Sequence, residues 1–357
     1  MEKSVDAKSD TSDSKFSFLF TKKFLIILLL GQFLSLCITA TSVTTQELAI
    51  EGVNFPTTQS FLNYIVLNVI YTSITIWKAG FKGWLKILKN RGWMYFILAV
   101  IDVEGNYFVV KAYQYTSLLS AMLLDNWSTL VCMILLMAFF RVRYHWSQYL
   151  GALLCFAGIG VLLRGDVILG QADQITAATD MLKGDLFLLL GSTFYGFSNV
   201  GEQYFVRQFP LYEVVGQLGF FGTIVNGVQL AILERDELHN TPWSGRIVGL
   251  LIAFNFAMFC LYTGAPQLFR ISSATFFNLS LITSDFYGLI FALVLFGQKM
   301  HGLYPLAYIM SIVGLIVYHV YPETEPQIRR LEDEEAPEPR SEQAPQTAND
   351  VVVNAKD

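Results

Sequence analysis

Three charged residues stand inside the third long apolar run of this chain: Asp102, Glu104 and Lys111. A charge within hydrocarbon is costly, so it faces a bundle interior or an aqueous cavity and marks function by default. At 100° per helical residue, Glu104 and Lys111, seven apart, share one face, while Asp102, Asn106 and Tyr113 form a second polar stripe. The rise from Glu104 to Lys111 is about 10 Å, too long for a direct pair. Asp125, in the fourth apolar run, is the candidate partner of Lys111. That pair is either an ion pair that only orients two helices or a charge site for a substrate or a coupling proton. Glu104 has no cation at its depth. It is either a group that exchanges a proton with the solute's passage or a protonated, hydrogen-bonded carboxyl.

The second half of the chain carries its own polar set. In the sixth run Tyr195, Ser198, Asn199 and Glu202 share a helical face. The ninth holds Asn278, Ser280, Thr283, Ser284 and Asp285, and the first ends in a Thr-rich stretch. The expected substrate-binding or coupling residues are therefore Asp102, Glu104, Asn106, Lys111, Tyr113, Asp125, Tyr195, Asn199, Glu202, Asn278, Thr283 and Asp285. The tyrosines among them suit an organic, ring-bearing solute better than a bare ion.

These residues need helices to position them, and composition shows what kind. Of 357 residues 54% are hydrophobic and 15% charged, with a mean hydropathy of +0.46. A soluble domain carries about 25% charged residues. The apolar residues fall in runs of about twenty, the length a helix needs to cross roughly 30 Å of hydrocarbon. The expected fold is all-α integral membrane, with ten transmembrane helices at roughly 24–45, 58–79, 92–113, 117–140, 146–164, 184–206, 211–233, 246–267, 273–296 and 302–321. A polar N-terminus (1–23) and an acidic tail (322–357), rich in Pro, Glu and Gln, are expected to be disordered. Residues 165–183 read as the longest polar connection.

With a cytoplasmic N-terminus, eighteen of the 24 Lys and Arg residues fall on the cytoplasmic side and five opposite, with Lys111 left inside the membrane. The positive-inside rule thus puts both termini in the cytoplasm. Shifting the chain by 156 residues lays 117–161 on 273–317 without a gap, and nine of 45 positions match, among them Ser117/Ser273, Ser128/Ser284 and Gly158/Gly314. About one in ten would match by chance in sequences this apolar. Both windows also read alike: apolar helix, short charged turn, Gly-containing apolar helix. An odd helix count per half makes the copies inverted, which divides the chain into five-helix repeats over 24–164 and 184–321. Inverted repeats are a transporter signature with a site near the midplane.

Other classes find little support. The four cysteines lie in apolar runs without metal-ligand spacing, and the four histidines sit at loop or helix ends, so no metal and no cofactor is expected. No Walker A, HExxH or GxSxG sequence occurs, and no nucleophile–base pair suggests an enzyme. No basic domain points to nucleic acid. The expected partners are a small-molecule substrate and the lipid bilayer, with the oligomeric state open. The Gly216, Gly219 and Gly222 series reads as a close helix-packing face.

The segments Asp102-Val-Glu-Gly-Asn-Tyr107, Val109-Val-Lys-Ala-Tyr-Gln-Tyr-Thr116 and Leu123-Leu-Asp125 resemble solute carrier family 35, subfamily F, in the drug/metabolite transporter superfamily. Tyr195-Gly-Phe-Ser-Asn-Val-Gly-Glu202 and the stretch Ser273 to Asp285 resemble it too, over residues 20 to 321 in all. Gly105 and Gly201 stand where the resemblance leads one to expect an acidic residue or Asn. The resemblance implies ten helices in two inverted repeats, alternating access, and relatives that carry nucleotide sugars or nucleobase-like and vitamin-like solutes. A nucleotide-sugar exchanger needs several buried cations for the phosphates. Here Lys111 is alone against five intramembrane acids, which favours a neutral or cationic organic solute, nucleoside-like or nucleobase-like, with proton coupling as a further expectation. Nucleotide-sugar exchange in endomembranes is the alternative carrier reading, and a non-transporting receptor or scaffold the alternative class. The end Val353 to Asp357 has no di-lysine or KDEL signal, so the plasma membrane or a late endomembrane such as the Golgi is expected.

Overall fold

The computed structural model describes residues 22–53, 55–172, 178–297 and 302–319, and both terminal segments expected to be disordered lie almost wholly outside them. Helix α1 (Lys22–Ile50) is followed by α2 (Pro56–Leu67), which continues through a π-helical turn (Asn68–Thr72) into α3 (Ser73–Ala112). Then come α4 (Leu118–Asp125), α5 (Trp127–Phe140) and α6 (Trp146–Ala172). The second half holds α7 (Ala178–Gln208), α8 (Leu211–Leu233), the short α9 (Arg235–Asn240), α10 (Gly245–Ile271), α11 (Ala274–Ser280), α12 (Ile282–Val294) and α13 (Leu303–His319). No strand occurs among the described residues.

Six segments among the described residues are long and apolar enough to cross a membrane: Leu25–Ile50, Pro56–Ala112, Leu118–Phe140, Leu211–Leu233, Gly245–Ile271 and Ala274–Val294. The second has 57 residues. Straight, it would reach about 85 Å, nearly three times the hydrocarbon thickness. Instead it folds back at Gly80, whose φ of 73° and ψ of 161° only glycine adopts at little cost. The proof of the hairpin is a contact: Tyr64 and Asp102, 38 residues apart, share a 2.6 Å hydrogen bond. Helices α6 and α7, of 27 and 31 residues, are longer than a bilayer crossing but carry Arg164, Asp166, Asp180, Lys183 and Asp185 towards their adjoining ends.

Three expectations about the elements change. Residues 81–91 are helical rather than a loop, because the reversal is made at Gly80. Beyond it Trp84 packs edge-on to Phe220 (5.4 Å between ring centroids) while Lys82, Lys86 and Lys89 point outward. Helices α6 and α7 run into 165–183 from both sides, since polarity marks where a chain leaves lipid rather than where its helix ends; 173–177 lie outside the described residues. The spans expected as continuous at 117–140 and 273–296 are each interrupted at one residue, Asn126 and Leu281, where the backbone stays in the right-handed helical region but the regular hydrogen-bond ladder is locally broken. Neither break has a Pro or Gly to announce it.

The 156-residue shift relates contacts as well as letters. Ser117 Oγ accepts from Ser120 N at 3.2 Å, and Ser273 Oγ accepts from Phe276 N at 3.0 Å. Both bonds start a helix by satisfying an orphan N–H. At the breaks, Ser128 Oγ donates to Asp125 O (2.7 Å), and Ser284 Oγ donates to Leu281 O. Between α6 and α13 the contact is reciprocal: a Cβ on Gly158 would lie 3.0 Å from Ala307 O, and one on Gly314 would lie 2.6 Å from Gly151 O.

Helix α8 marks the two ends of the bundle. At one, Glu213 accepts from Tyr95 OH at 2.8 Å and pairs with Arg91 at 3.6 Å, and the Tyr95 ring packs on Phe205 and Phe209. At the other, buried Glu234 accepts from Thr57 N (2.5 Å), Thr58 N (2.8 Å) and Thr58 Oγ1 (2.6 Å), capping α2. There Leu48, Val53, Phe55, Ile247 and Leu251 form an apolar plug. Val53 and Leu251 stand 156 residues from Phe209 and Tyr95.

Candidate functional site

Asp102 accepts three side-chain hydrogen bonds in the interior. Tyr64 OH (2.6 Å) and Tyr262 OH (2.7 Å) donate to its Oδ2, and Ser198 Oγ (2.7 Å) donates to its Oδ1. One turn on, Asn106 Nδ2 lies 2.8 Å from Tyr64 OH and 2.7 Å from Tyr262 OH, and its Oδ1 accepts from Tyr195 OH at 2.9 Å. Tyr64 and Tyr262 thus each donate a proton once and accept once, so the carboxylate's donors are hydroxyls rather than a cation. The network joins α2, α3, α7 and α10. Local sequence makes it possible: a Cβ at Gly105 would lie 2.9 Å from the Tyr195 ring, and one at Gly191 would lie 2.9 Å from Val109 N. An acidic side chain or Asn at Gly105 would displace Tyr195, and a Cβ at Gly201 would meet Leu98 at 3.0 Å, which accounts for the small residues at both positions.

This network forms one wall of a partly open interior cavity. Asp102, Asn106 and Tyr113 face it from α3, and Tyr195, Asn199 and Glu202 from α7. The broken helices supply Asp125 and Asn126 on one side, Asn278 and Asp285 on the other. Asn126 Nδ2 donates to Asp285 Oδ2 across the gap at 2.8 Å, and Asp125 accepts from Ser192 Oγ at 3.0 Å. Helix α1 adds Thr41, Ser42 and Thr45, and α10 adds Phe254 and Tyr262. Among the described residues, four carboxylates line the cavity and no Lys, Arg or His does. Among the described residues no group of three or more His, Cys, Asp and Glu side chains is placed to hold a metal ion.

Nine of the twelve expected residues therefore meet around one space, and three do not. Glu104 is two residues from Asp102, 200° around the helix. It faces α8, where Gln229 Nε2 donates to it at 2.6 Å. Lys111 is nine residues from Asp102, half a turn away, and forms no ion pair with Asp125. The expected Lys111–Asp125 pair is thus corrected: α3 presents the two stripes to different neighbours. Thr283 Oγ1 donates to Ser280 O at 2.5 Å and sits 2.9 Å from Ser35 Oγ, closing the α11–α12 break against α1. Tyr64 and Tyr262 are not singled out by the sequence because neither span carries a charged residue beside them. The signal for them was indirect: a buried carboxylate without a cation requires hydroxyl or amide donors.

The geometry can be set beside known proteins. The family profile described as "SLC35F: Solute carrier family 35" matches residues 20–320. An uncharacterised solute carrier family 35 member from Schizosaccharomyces pombe is 46% identical over 305 residues, 85% of this chain and 59% of that protein's length, so the match spans under two thirds of that relative. Solute carrier family 35 member F2 from Mus musculus is 40% identical over 301 residues, 84% of this chain and 80% of its own. A solved crystal structure superposes with a TM-score of 0.57 at 14% identity, covering 82% of this chain and 96% of that one, which shows a shared fold.

Proposed function

We propose, from the premise that this chain belongs to solute carrier family 35, subfamily F, that it is a secondary-active carrier of a small neutral or cationic organic solute. The solute, of nucleoside-like or nucleobase-like size and ring character, binds in the acidic cavity and crosses by alternating access. The observation that carries this reading is the lining: four carboxylates, several amides and aromatic rings, and no basic side chain. Ten crossings in two inverted five-helix repeats account for the 156-residue correspondence of caps, breaks and packing contacts, with the two bundle ends as the layers that open in turn. Both termini lie on the cytoplasmic side in this reading, at the plasma membrane or a late endomembrane. Proton coupling is its second element, supported by cavity carboxylates that lack a cationic partner.

The rival carrier reading, nucleotide-sugar exchange, asks the cavity to hold phosphates. Unit charges of like sign 4 Å apart repel by about 4 kcal/mol at an effective dielectric of 20, and no cation lines the cavity to offset this. Purified protein in liposomes separates the two. Saturable uptake of an uncharged or cationic organic solute, indifferent to internal nucleoside monophosphate, supports the proposal. Uptake of a nucleotide sugar stimulated by internal nucleoside monophosphate replaces it with the rival. Absence of saturable uptake for every solute class removes the carrier reading.

A further inference from the structure

We propose that Glu202 is the anchor of this cavity for a cationic N–H group, an ammonium or amidinium on the solute, while Asp102 is committed to holding helices together. The inference rests on the carrier reading of the cavity and divides its carboxylates by what already bonds them. Asp102 takes three hydroxyl donors. Asp285 takes the Asn126 amide and Asp125 the Ser192 hydroxyl. Glu202 is 6% exposed and lines the same space, yet its Oε1 is buried with no hydrogen-bond partner. Leaving such a group unmet is destabilising, more so if it is charged. A proton on Glu202 does not remove that cost, because its O–H would then need an acceptor. A ligand cation with N–H donors meets it directly, as a charge-assisted pair. Phe254 and Tyr262 line the same cavity, and aromatic rings attract cations over their faces.

The test is ligand-dependent thermal stabilisation of the purified full chain in detergent, with pairs of probes alike in shape and different in charge: benzamidine against benzamide, and 2-phenylethylamine against 2-phenylethanol. Wild type is expected to respond to each cation at a concentration at least tenfold below its neutral counterpart. Glu202→Gln is expected to erase that difference. Glu202→Asp, which keeps the charge, is expected to keep the preference. No preference in wild type overturns the assignment. So does a preference intact in Glu202→Gln, or, should that variant not fold, one lost in Glu202→Asp. Binding in detergent involves no flux, so the two readings fail separately. Cation binding that depends on Glu202 without uptake into liposomes would end the carrier reading alone, and uptake unimpaired in Glu202→Gln would end this one alone.

Discussion

Replacing Tyr64 or Tyr262 by Phe removes one hydroxyl from the Asp102 network and leaves the ring in place. Each hydroxyl donates to the same carboxylate oxygen, Oδ2, and accepts from the same amide, Asn106 Nδ2. A hydrogen bond to a charged group contributes about 1.5–3 kcal/mol. The bond lost from Asn106 is partly replaced by its contact to Asp102 O at 3.0 Å. Each single change is therefore expected to cost about 2 kcal/mol. In the double variant Oδ2 keeps no donor and the amide keeps no side-chain acceptor, so the cost should exceed the sum of the singles by about 1–2 kcal/mol. Equilibrium unfolding of purified protein by sodium dodecyl sulfate in mixed micelles, followed by tryptophan fluorescence, measures the cycle. Additivity within about 0.5 kcal/mol would refute a shared, cation-free acceptor.

Gly219→Ala puts a Cβ 2.6 Å from Asn68 N and 2.9 Å from Leu67 C, at the π-helical turn, so helices must part. A loss of about 1–3 kcal/mol is expected in the same unfolding assay, and wild-type stability would contradict the packing. Glu234→Ala strips two backbone N–H bonds and one hydroxyl bond from the start of α2. It should cost about 1–2 kcal/mol as a lost cap and raise hydrogen exchange at Thr57 and Thr58; unchanged exchange there speaks against the cap. Glu104 lies off the cavity against Gln229, so Glu104→Gln should leave any dependence of uptake on an imposed pH gradient intact, whereas Asp125→Asn should abolish it. The reverse pattern would move the coupling group to the far face of α3.

What sequence could show of this site follows from helical periodicity. The stripe Asp102, Asn106, Tyr113 and the face of Tyr195, Asn199 and Glu202 are read directly from a 100° repeat, and both face the cavity. Periodicity assigns residues to faces but does not say which neighbour a face meets. That is why Lys111 was matched with Asp125, although it turns half a revolution away from the cavity-facing stripe. The helix breaks at Asn126 and Leu281 were invisible because Ser128 and Ser284 stabilise them through backbone carbonyls, a bond serine can also make in an unbroken helix. Tyr64 reaches Asp102 only through the reversal at Gly80. One glycine in a run of lysines reads as a loop, not as the pivot of a hairpin.

The central claim, that the cavity accepts neutral or cationic organic solutes, is tested most directly by a metabolite-wide comparison of uptake in cells with and without the protein, sorted by solute charge. The solutes gained are expected to be uncharged or cationic ring-bearing molecules, and Glu202→Gln is expected to reduce uptake of the cationic ones at least tenfold. Enrichment of phosphate-bearing anions such as nucleotide sugars would contradict it.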